Sequence, residues 1–185
     1  MTMDAVRGPS SFCVPAGIQV DAQPEVILTR LVETYQTALL HICYMILRDE
    51  SLAEDAVQET FLKAYKAIDT FRGESSEKTW LFRIGVNVCR DMMRARWFRY
   101  LDRRVTPETL SIPAPETDDD HEELAQAILK LRATDKEIIL LYYYQDMNIR
   151  EIAQTLGLAP SSVSNRLKKA REHLRVLLER GEYHG

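Results

Sequence analysis

Between Asn148 and Leu178 the chain reads NIREIAQTLGLAPSSVSNRLKKAREHLRVLL, a pattern that leaves little freedom in how it folds. Ile149, Ile152, Ala153 and Leu156 recur at three- and four-residue steps, the spacing of one helical face. Asn148 is placed to cap that helix, and Glu151, three residues on, completes a capping box. Gly157 ends it, because glycine enters the left-handed conformation at a helix C-terminus without steric cost. After a turn of Gly157, Leu158 and Ala159, Pro160 suits the first position of a new helix, where its missing N–H is not needed. In that helix Val163, Leu167, Ala170, Leu174 and Leu177 face inward, while Ser161, Ser162, Ser164, Asn165, Arg166, Lys168, Lys169 and Arg171 face outward. A basic amphipathic helix alone often marks only a solvated face. Joined to a capped partner by a tight glycine turn, it reads as a helix-turn-helix, with small polar side chains for base edges and cations for phosphates of duplex DNA.

Upstream, apolar residues from Pro24 to Leu47 keep helical spacing, among them Ile27, Leu31, Tyr35, Leu39, Ile42 and Ile46. After a polar break at Arg48 to Ser51, Ser51 and Glu54 resemble a second capping box. It opens a helix with Ala53, Ala56, Val57, Thr60, Phe61, Ala64, Tyr65 and Ile68 inside and a polar, acidic outer face. Phe71, Arg72 and Gly73 break the pattern, and a third helix is predicted from Lys78 to Phe98 with Trp80, Leu81, Ile84, Val88 and Met92 in the core. Residues 23–100 therefore form one helical bundle. Residues 101–120 lose periodicity and gain Pro107, Pro113 and Pro115, so they read as a linker. Residues 121–185 resume with a helix to Leu131, a third capping box at Thr134 and Glu137, an apolar helix through Ile138, Ile139, Leu141 and Tyr142, and then the helix-turn-helix. The expected fold is all-α, two small helical domains joined by a flexible acidic linker, with residues 1–22 as a flexible tail.

Charge is segregated beneath a formal net charge of −4. Arg72 to Arg104 carries nine Lys/Arg against four Asp/Glu, whereas Glu116 to Glu123 carries six acids and no base. Two nucleic-acid-facing surfaces around an acidic connector fit this pattern better than a uniform coat. Cys13, Cys43 and Cys89 are widely spaced, so buried reduced thiols in a cytosolic chain are expected rather than a metal site. His121 among Asp118, Asp119, Asp120, Glu122 and Glu123 lacks defined ligand spacing, and no metal or cofactor is expected. No run is long and apolar enough to predict membrane insertion, nor does the start of the chain carry the apolar region of a signal peptide.

Catalysis leaves little trace, for there is no glycine-rich phosphate loop, HExxH or GxSxG, and no enzymatic activity is expected. The stretch Phe71 to Arg99 is different in kind. Arg83, Arg90, Arg94, Arg96 and Arg99 alternate with Trp80, Phe82, Trp97 and Phe98, and Asn87 lies one turn beyond Arg83. Cations that hold phosphates beside aromatic and amide groups that meet bases suit a single strand, although aromatic residues at such spacing also serve as core.

These segments resemble a known family. LAEDAVQETFLKAYKAI (Leu52 to Ile68), FRGESSEKTWLFRIGVNVCRDMMR (Phe71 to Arg94) and the helix-turn-helix, in that order, are similar to the sigma-70 family of bacterial RNA polymerase sigma factors, extracytoplasmic-function group. The resemblance implies a sigma-2 domain over residues 23–100 and a sigma-4 domain over 121–185. It implies that Asp55, Gln58, Glu59, Phe61 and Leu62 bind core RNA polymerase. It implies that Phe71, Arg72, Ser75, Ser76, Arg83, Asn87, Arg90 and Arg94 serve the minus-ten element, with Asn87 as a reader and the Phe71 to Ser76 loop as the pocket for a flipped-out base. Ser161, Ser162, Ser164, Asn165, Arg166, Lys168 and Lys169 would serve the minus-thirty-five element. Promoter DNA, both duplex and melted single strand, and an anti-sigma factor are implied partners, and the linker resembles the segment that threads the polymerase near its RNA exit path. Three residues depart from the family pattern: Glu77 replaces an aromatic, Gly85 an alanine and Ala159 a serine cap. Gly85 is expected to loosen its helix by somewhat under about 1 kcal/mol, Ala159 to forfeit about 1 kcal/mol of capping, and Glu77 to alter minus-ten preference. A stand-alone helix-turn-helix regulator with an N-terminal sensing or dimerising domain is the competing expectation.

Overall fold

The structure, a computed structural model, describes residues 23–103 and 119–181, with side chains over 23–96 and 123–179. The expected tail, most of the expected linker, Cys13, and the side chains of Trp97, Phe98, Arg99 and His121 lie outside the described residues. Among the described residues all regular structure is helical. Helix α1 spans Pro24–Leu47 and opens with proline in its first turn. It ends at Arg48, whose φ of 58° turns the chain left-handed while its N–H donates to the Tyr44 carbonyl. That reversal puts Asp49 in extended backbone, so Asp49 caps α2 (Glu50–Ala67) by accepting from the Leu52 N–H at 3.0 Å. The capping box expected at Ser51 and Glu54 starts the helix too late. A 3-10 turn, Ile68–Thr70, follows, and α3 then runs from Glu77 to Arg103, beyond the expected end at Phe98.

The second half contains α4 (Asp119–Leu129), α5 (Ala133–Tyr143), α6 (Ile149–Leu156) and α7 (Pro160–Gly181). Helices α3 and α4 thus take residues from both ends of the expected linker. The start of α5 corrects the expected box at Thr134 and Glu137. Arg132 occupies the cap position with no side-chain hydrogen bond, so Thr134 lies inside the first turn, and the Glu137 carboxylate is instead engaged by Arg90 of α3.

Core positions follow the helical periods. Leu31, Leu39, Ile42 and Cys43 of α1 meet Ala53, Ala56, Thr60 and Ala64 of α2 and Leu81, Phe82, Val86 and Cys89 of α3, all buried. Ile128, Ile138, Leu141, Ile152, Val163 and Leu167 fill the second half, and the two groups belong to one continuous cluster because α3 packs on α6 and α1 on α5. Each buried Leu or Ile removes enough apolar surface to stabilise its half by about 1.5–3 kcal/mol. Trp80, Ile84 and Met92 are only half-buried against this core, whereas Val86 and Phe82 enter it fully. Cys43 and Cys89 are free and fully buried; contact with Cys43, together with burial, pushes the Cys89 thiol far above its ordinary value, so it stays protonated.

Gly85 does not simply loosen α3. A Cβ there would lie 2.7 Å from Leu39 Cδ1, too close, and 3.5 Å from Thr60 Oγ1, an ordinary contact, so glycine is what lets α3 meet α1 this closely. Alanine would gain about 1 kcal/mol of helix propensity, but it would force the fully buried Leu39 side chain out of place at a cost of about 1–3 kcal/mol. Gly85→Ala is therefore expected to lower unfolding stability by about 1 kcal/mol in a denaturant titration. Adding Leu39→Val should cost less than the sum of the two single changes, and strict additivity would disprove the steric account.

Candidate nucleic-acid interface

In α3 the residues Arg83, Asn87, Arg90 and Arg94 fall at steps of four, three and four, so one helical face presents all of them. Arg83, Asn87 and Arg94 are exposed; Arg94 donates to Asp91 at 2.5 Å. Arg90 is half-buried, its Nε and Nη2 donating to Glu137 at 3.1 and 2.6 Å. Phe82 belongs to the core rather than to this face, with its ring edge-on to Tyr35 at 6.4 Å. The loop before α3 splits its roles. Ser76 caps the helix, its Oγ accepting from the Thr79 N–H at 3.0 Å, while Phe71 is half-buried against Trp80 at 4.9 Å between ring centroids. Arg72 is exposed, Ser75 is half-buried, and Gly73 takes the left-handed φ of 70° that bends the loop.

Glu77 faces neither the loop nor open solvent. It forms a two-pronged pair with Arg30 of α1, both bonds at 2.7 Å, which fastens the start of α3 to the first helix. This long-range partner explains an acid at that position, and only the fold could reveal it. Arg96 similarly approaches Asp49 at 4.0 Å, tying α3 to the cap of α2.

The helix-turn-helix forms as its sequence requires. Asn148 Oδ1 accepts from the N–H groups of Arg150 and Glu151 at 2.9 and 3.1 Å, and Glu151 returns the bond to the Asn148 N–H at 2.9 Å. Gly157 has φ 68° and ψ 37°, and the Leu158 N–H reaches back to the Ala153 carbonyl at 2.9 Å. Ser161, Ser162, Ser164, Asn165, Arg166, Lys168 and Lys169 are all exposed on α7, with Val163, Leu167, Ala170 and Leu174 buried beneath them. Arg166 is braced by Asp135 of α5 at 3.0 Å. Among the described residues no acid pairs with Lys168 or Lys169. Arg171 lies over the rings of Tyr142 and Tyr143, 5.0 and 5.4 Å from their centroids, and so packs α7 on α5.

A further surface lies between α1 and α2. Leu28, Thr29, Val32 and Gln36 of α1 and Val57, Gln58, Phe61, Leu62 and Tyr65 of α2 line a shallow, mostly apolar groove. Gln58, Phe61 and Leu62 of the expected protein-binding set line it, whereas Asp55 is exposed and Glu59 half-buried beyond the lining, with Glu59 paired to Lys63 at 3.5 Å. Tyr65, expected inside, is 38% exposed. Its hydroxyl donates to Glu25 at 2.9 Å; bonding of Glu25 to its own backbone and then to Tyr65 holds that carboxyl below its ordinary value. The α1 wall was not foreseen, because Leu28 and Val32 carry the same periodic signal as core residues. Among the described residues no group of His, Cys, Asp or Glu could hold a metal ion, and no helix is long and apolar enough to cross a membrane.

Comparison with known proteins places both halves. The family model for Sigma-70 region 2 matches residues 31–99, and that for Sigma-70 region 4 matches residues 121–174. The RNA polymerase sigma factor NccH of Alcaligenes xylosoxydans xylosoxydans is 33% identical over 159 residues, covering 81% of this chain and 86% of that protein. The ECF RNA polymerase sigma factor SigW of Bacillus subtilis is 32% identical, covering 80% of this chain and 87% of that one. Among solved structures, the sigma factor RpoE in complex with the anti-sigma factor NepR from Bartonella quintana aligns with a TM-score of 0.71 at 28% identity, covering 83% of this chain and 97% of that chain. CnrH in complex with the cytosolic domain of CnrY aligns at 0.63 and 29%, covering 84% and 89%.

The caps of α6 carry a measurable consequence. Asn148→Ala removes the acceptor for two helix-end N–H groups and is expected to cost about 1 kcal/mol of stability. Hydrogen exchange should show the loss in α6 and α7 first; uniform loss across α1 to α3 would contradict a local role.

Proposed function

Because the chain belongs to the extracytoplasmic-function group of the sigma-70 family of RNA polymerase sigma factors, we propose that its exposed helical faces divide promoter recognition between them. As a sigma factor it binds core RNA polymerase, recognises promoter elements and promotes DNA melting for transcription initiation, and membership in the family sets aside the stand-alone regulator. The finer assignment is carried by one observation: each matched half presents a single polar, cationic helix face, on α3 and on α7. Asn87, flanked by Arg83 and Arg90, reads a base of the minus-ten element on the separated strand, while the arginines hold phosphates. The loop of Phe71, Arg72, Ser75 and Ser76 receives a base turned out of the stack, Ser76 by fixing the loop as the cap of α3. On α7, Ser161, Ser162, Ser164 and Asn165 approach base edges of the minus-thirty-five element, and Arg166, Lys168 and Lys169 contact phosphates.

The groove between α1 and α2 is the polymerase-binding surface. Half-exposed Leu62 beside Gln58, Phe61 and Tyr65 offers an apolar strip with a polar rim, with Asp55 and Glu59 at its border, and a helical partner fits such a strip. An anti-sigma factor is the second protein partner, a reading supported by the similar RpoE in complex with the anti-sigma factor NepR and CnrH in complex with the cytosolic domain of CnrY. The protein acts in the cytoplasm and catalyses no reaction of its own, since all its work is binding.

Transcription reconstituted from purified core polymerase tests the reading. Asn87→Ala is expected to reduce open-complex formation, followed by permanganate reactivity of unpaired thymines, about tenfold or more, equivalent to the about 1.4 kcal/mol lost with a base contact. Polymerase binding should remain unchanged, and equal loss in both assays would remove Asn87 as a reader. Lys169→Ala should lower the slope of log affinity against log salt by about 0.9 on duplex minus-thirty-five DNA, the signature of one lost phosphate contact. An unchanged slope would remove Lys169 from the phosphate contacts.

A further inference from the structure

Helices α1 and α3 run side by side in the same direction, and a series of contacts fixes their register. Arg30 pairs with Glu77, the Tyr35 ring meets Phe82 edge-on, and Leu39 fills the space against Gly85. The separation along the sequence hardly changes from one pair to the next, so the two helices stay in step. Cys43 stands one turn past Leu39, and Cys89 one turn past Gly85. That register brings the Cys43 thiol within hydrogen-bonding reach of Cys89, and both cysteines are free and 0% exposed. A disulfide requires its two backbones to lie near each other, and the missing side chain at Gly85 draws α3 towards α1 just before the pair. A single buried cysteine packs as a small apolar residue and needs no further account. Two that face each other across a helix pair do.

We infer that Cys43 and Cys89 form a modification site, a thiol pair that hydrogen peroxide joins into a disulfide stapling α3 to α1. The chemistry balances within the pair and one peroxide. A thiolate attacks one peroxide oxygen, the O–O bond breaks, hydroxide leaves, and the sulfur becomes a sulfenic acid. The second thiol attacks that sulfur; the S–S bond forms, the S–O bond breaks, and the oxygen leaves as water with the thiol's proton. Two thiols and one peroxide thus give one disulfide and two waters. In the closed core the first step is blocked, because the Cys43 thiol and burial keep Cys89 protonated and both sulfurs lie out of solvent. The reaction waits for α3 to lift locally from α1, and the register returns the oxidised sulfur to its partner on closing. Cys89 lies about 200° around α3 from Asn87, so the bond forms behind the polar face and leaves Arg83, Asn87 and Arg94 exposed. Closing a loop of about 45 residues restricts the unfolded chain, so the staple protects the first half while oxidant is present. In a reducing compartment it is transient.

Full-length Cys13→Ala protein, in which Cys43 and Cys89 are the remaining thiols, provides the test when treated with hydrogen peroxide and digested without reductant. A peptide joining Cys43 to Cys89, lighter by two hydrogens, should be the main product. The melting temperature should rise by about 5 °C or more and fall back with dithiothreitol. Sulfinic or sulfonic acids on separate cysteines, or thiols that stay unchanged until the protein melts, would overturn the site. Cys43→Ala and Cys89→Ala should each abolish the rise, and if either fails to fold, the linked peptide of the parent protein still decides. Gly85→Ala, which weakens the seat of α3, should oxidise about fivefold faster; an unchanged rate would overturn the gating by local opening. After a heat step between the two melting temperatures, the oxidised protein should keep polymerase-dependent transcription that the reduced protein loses. Equal activities would overturn the protective role.

Discussion

Everything on the first half depends on how closely α3 lies against α1 and α2. At Gly85 the α3 backbone approaches until Leu39 of α1 occupies the space of an absent side chain, with Thr60 of α2 in van der Waals contact beside it. Thr60 can be buried there only because its hydroxyl is satisfied within its own helix, bonding the Ala56 carbonyl at 2.6 Å. Seating α3 at this depth fixes its rotation. Phe82, Val86 and Cys89 are driven inward, and Arg83, Asn87 and Arg94 are turned to the outside by the helical period alone. The face proposed to read the minus-ten element is thus a by-product of a packing constraint, and Arg30 to Glu77 and Arg96 to Asp49 then link α3 to α1 and to the cap of α2.

Helix order and the inward stripes were legible in the sequence because burial imposes a period that survives without any knowledge of partners. The turn from α6 to α7 was legible for a similar reason. Asn148, Glu151, Gly157 and Pro160 act on backbone within a few residues of themselves, so spacing alone specifies their geometry. Where an expected box failed, the helix begins at another residue. Ser51 and Glu54 have the spacing of a box, but the left-handed Arg48 places the first extended residue at Asp49. Thr134 and Glu137 have it too, but α5 begins at Ala133, which puts Thr134 inside the helix, and Glu137 pairs with Arg90, 47 positions away on α3. Glu77 and Gly85 looked anomalous for the same reason, since Arg30 and Leu39 are distant in sequence.

The candidate site was legible in composition more than in arrangement. Alternation of arginine with aromatic residues marked Phe71 to Arg99 as a surface of mixed character, yet the pattern cannot separate an aromatic that meets a base from one that fills a core. Phe82 is buried completely and Trp80 partly, and the half-buried Phe71 leans on Trp80. The apolar groove was hidden more deeply. Leu28 and Val32 repeat with the same period as Leu31 and Leu39, and they form a wall rather than a core because, among the described residues, no third helix covers that side.

The second half shows how modest its own hold on DNA must be. Ala159 opens α7 with a carbonyl that accepts the Val163 N–H at 3.1 Å, but an alanine side chain caps no donor. Arg166 is braced by Asp135 and Arg171 stacks on tyrosines, which leaves Lys168 and Lys169 as the cations of the outward face without an acid partner among the described residues. Three phosphate contacts, one of them from an arginine already paired with Asp135, give little affinity at physiological salt, because each contributes mainly through the counterion it releases. Such a face discriminates usefully only when another part of the same molecule is already bound, so that its encounter with DNA is intramolecular at a high effective concentration. In the proposed assignment the groove on α1 and α2 supplies that first attachment. Weak reading by α7 is then an advantage, since a helix that bound duplex tightly alone would be held at the many sites where no polymerase waits.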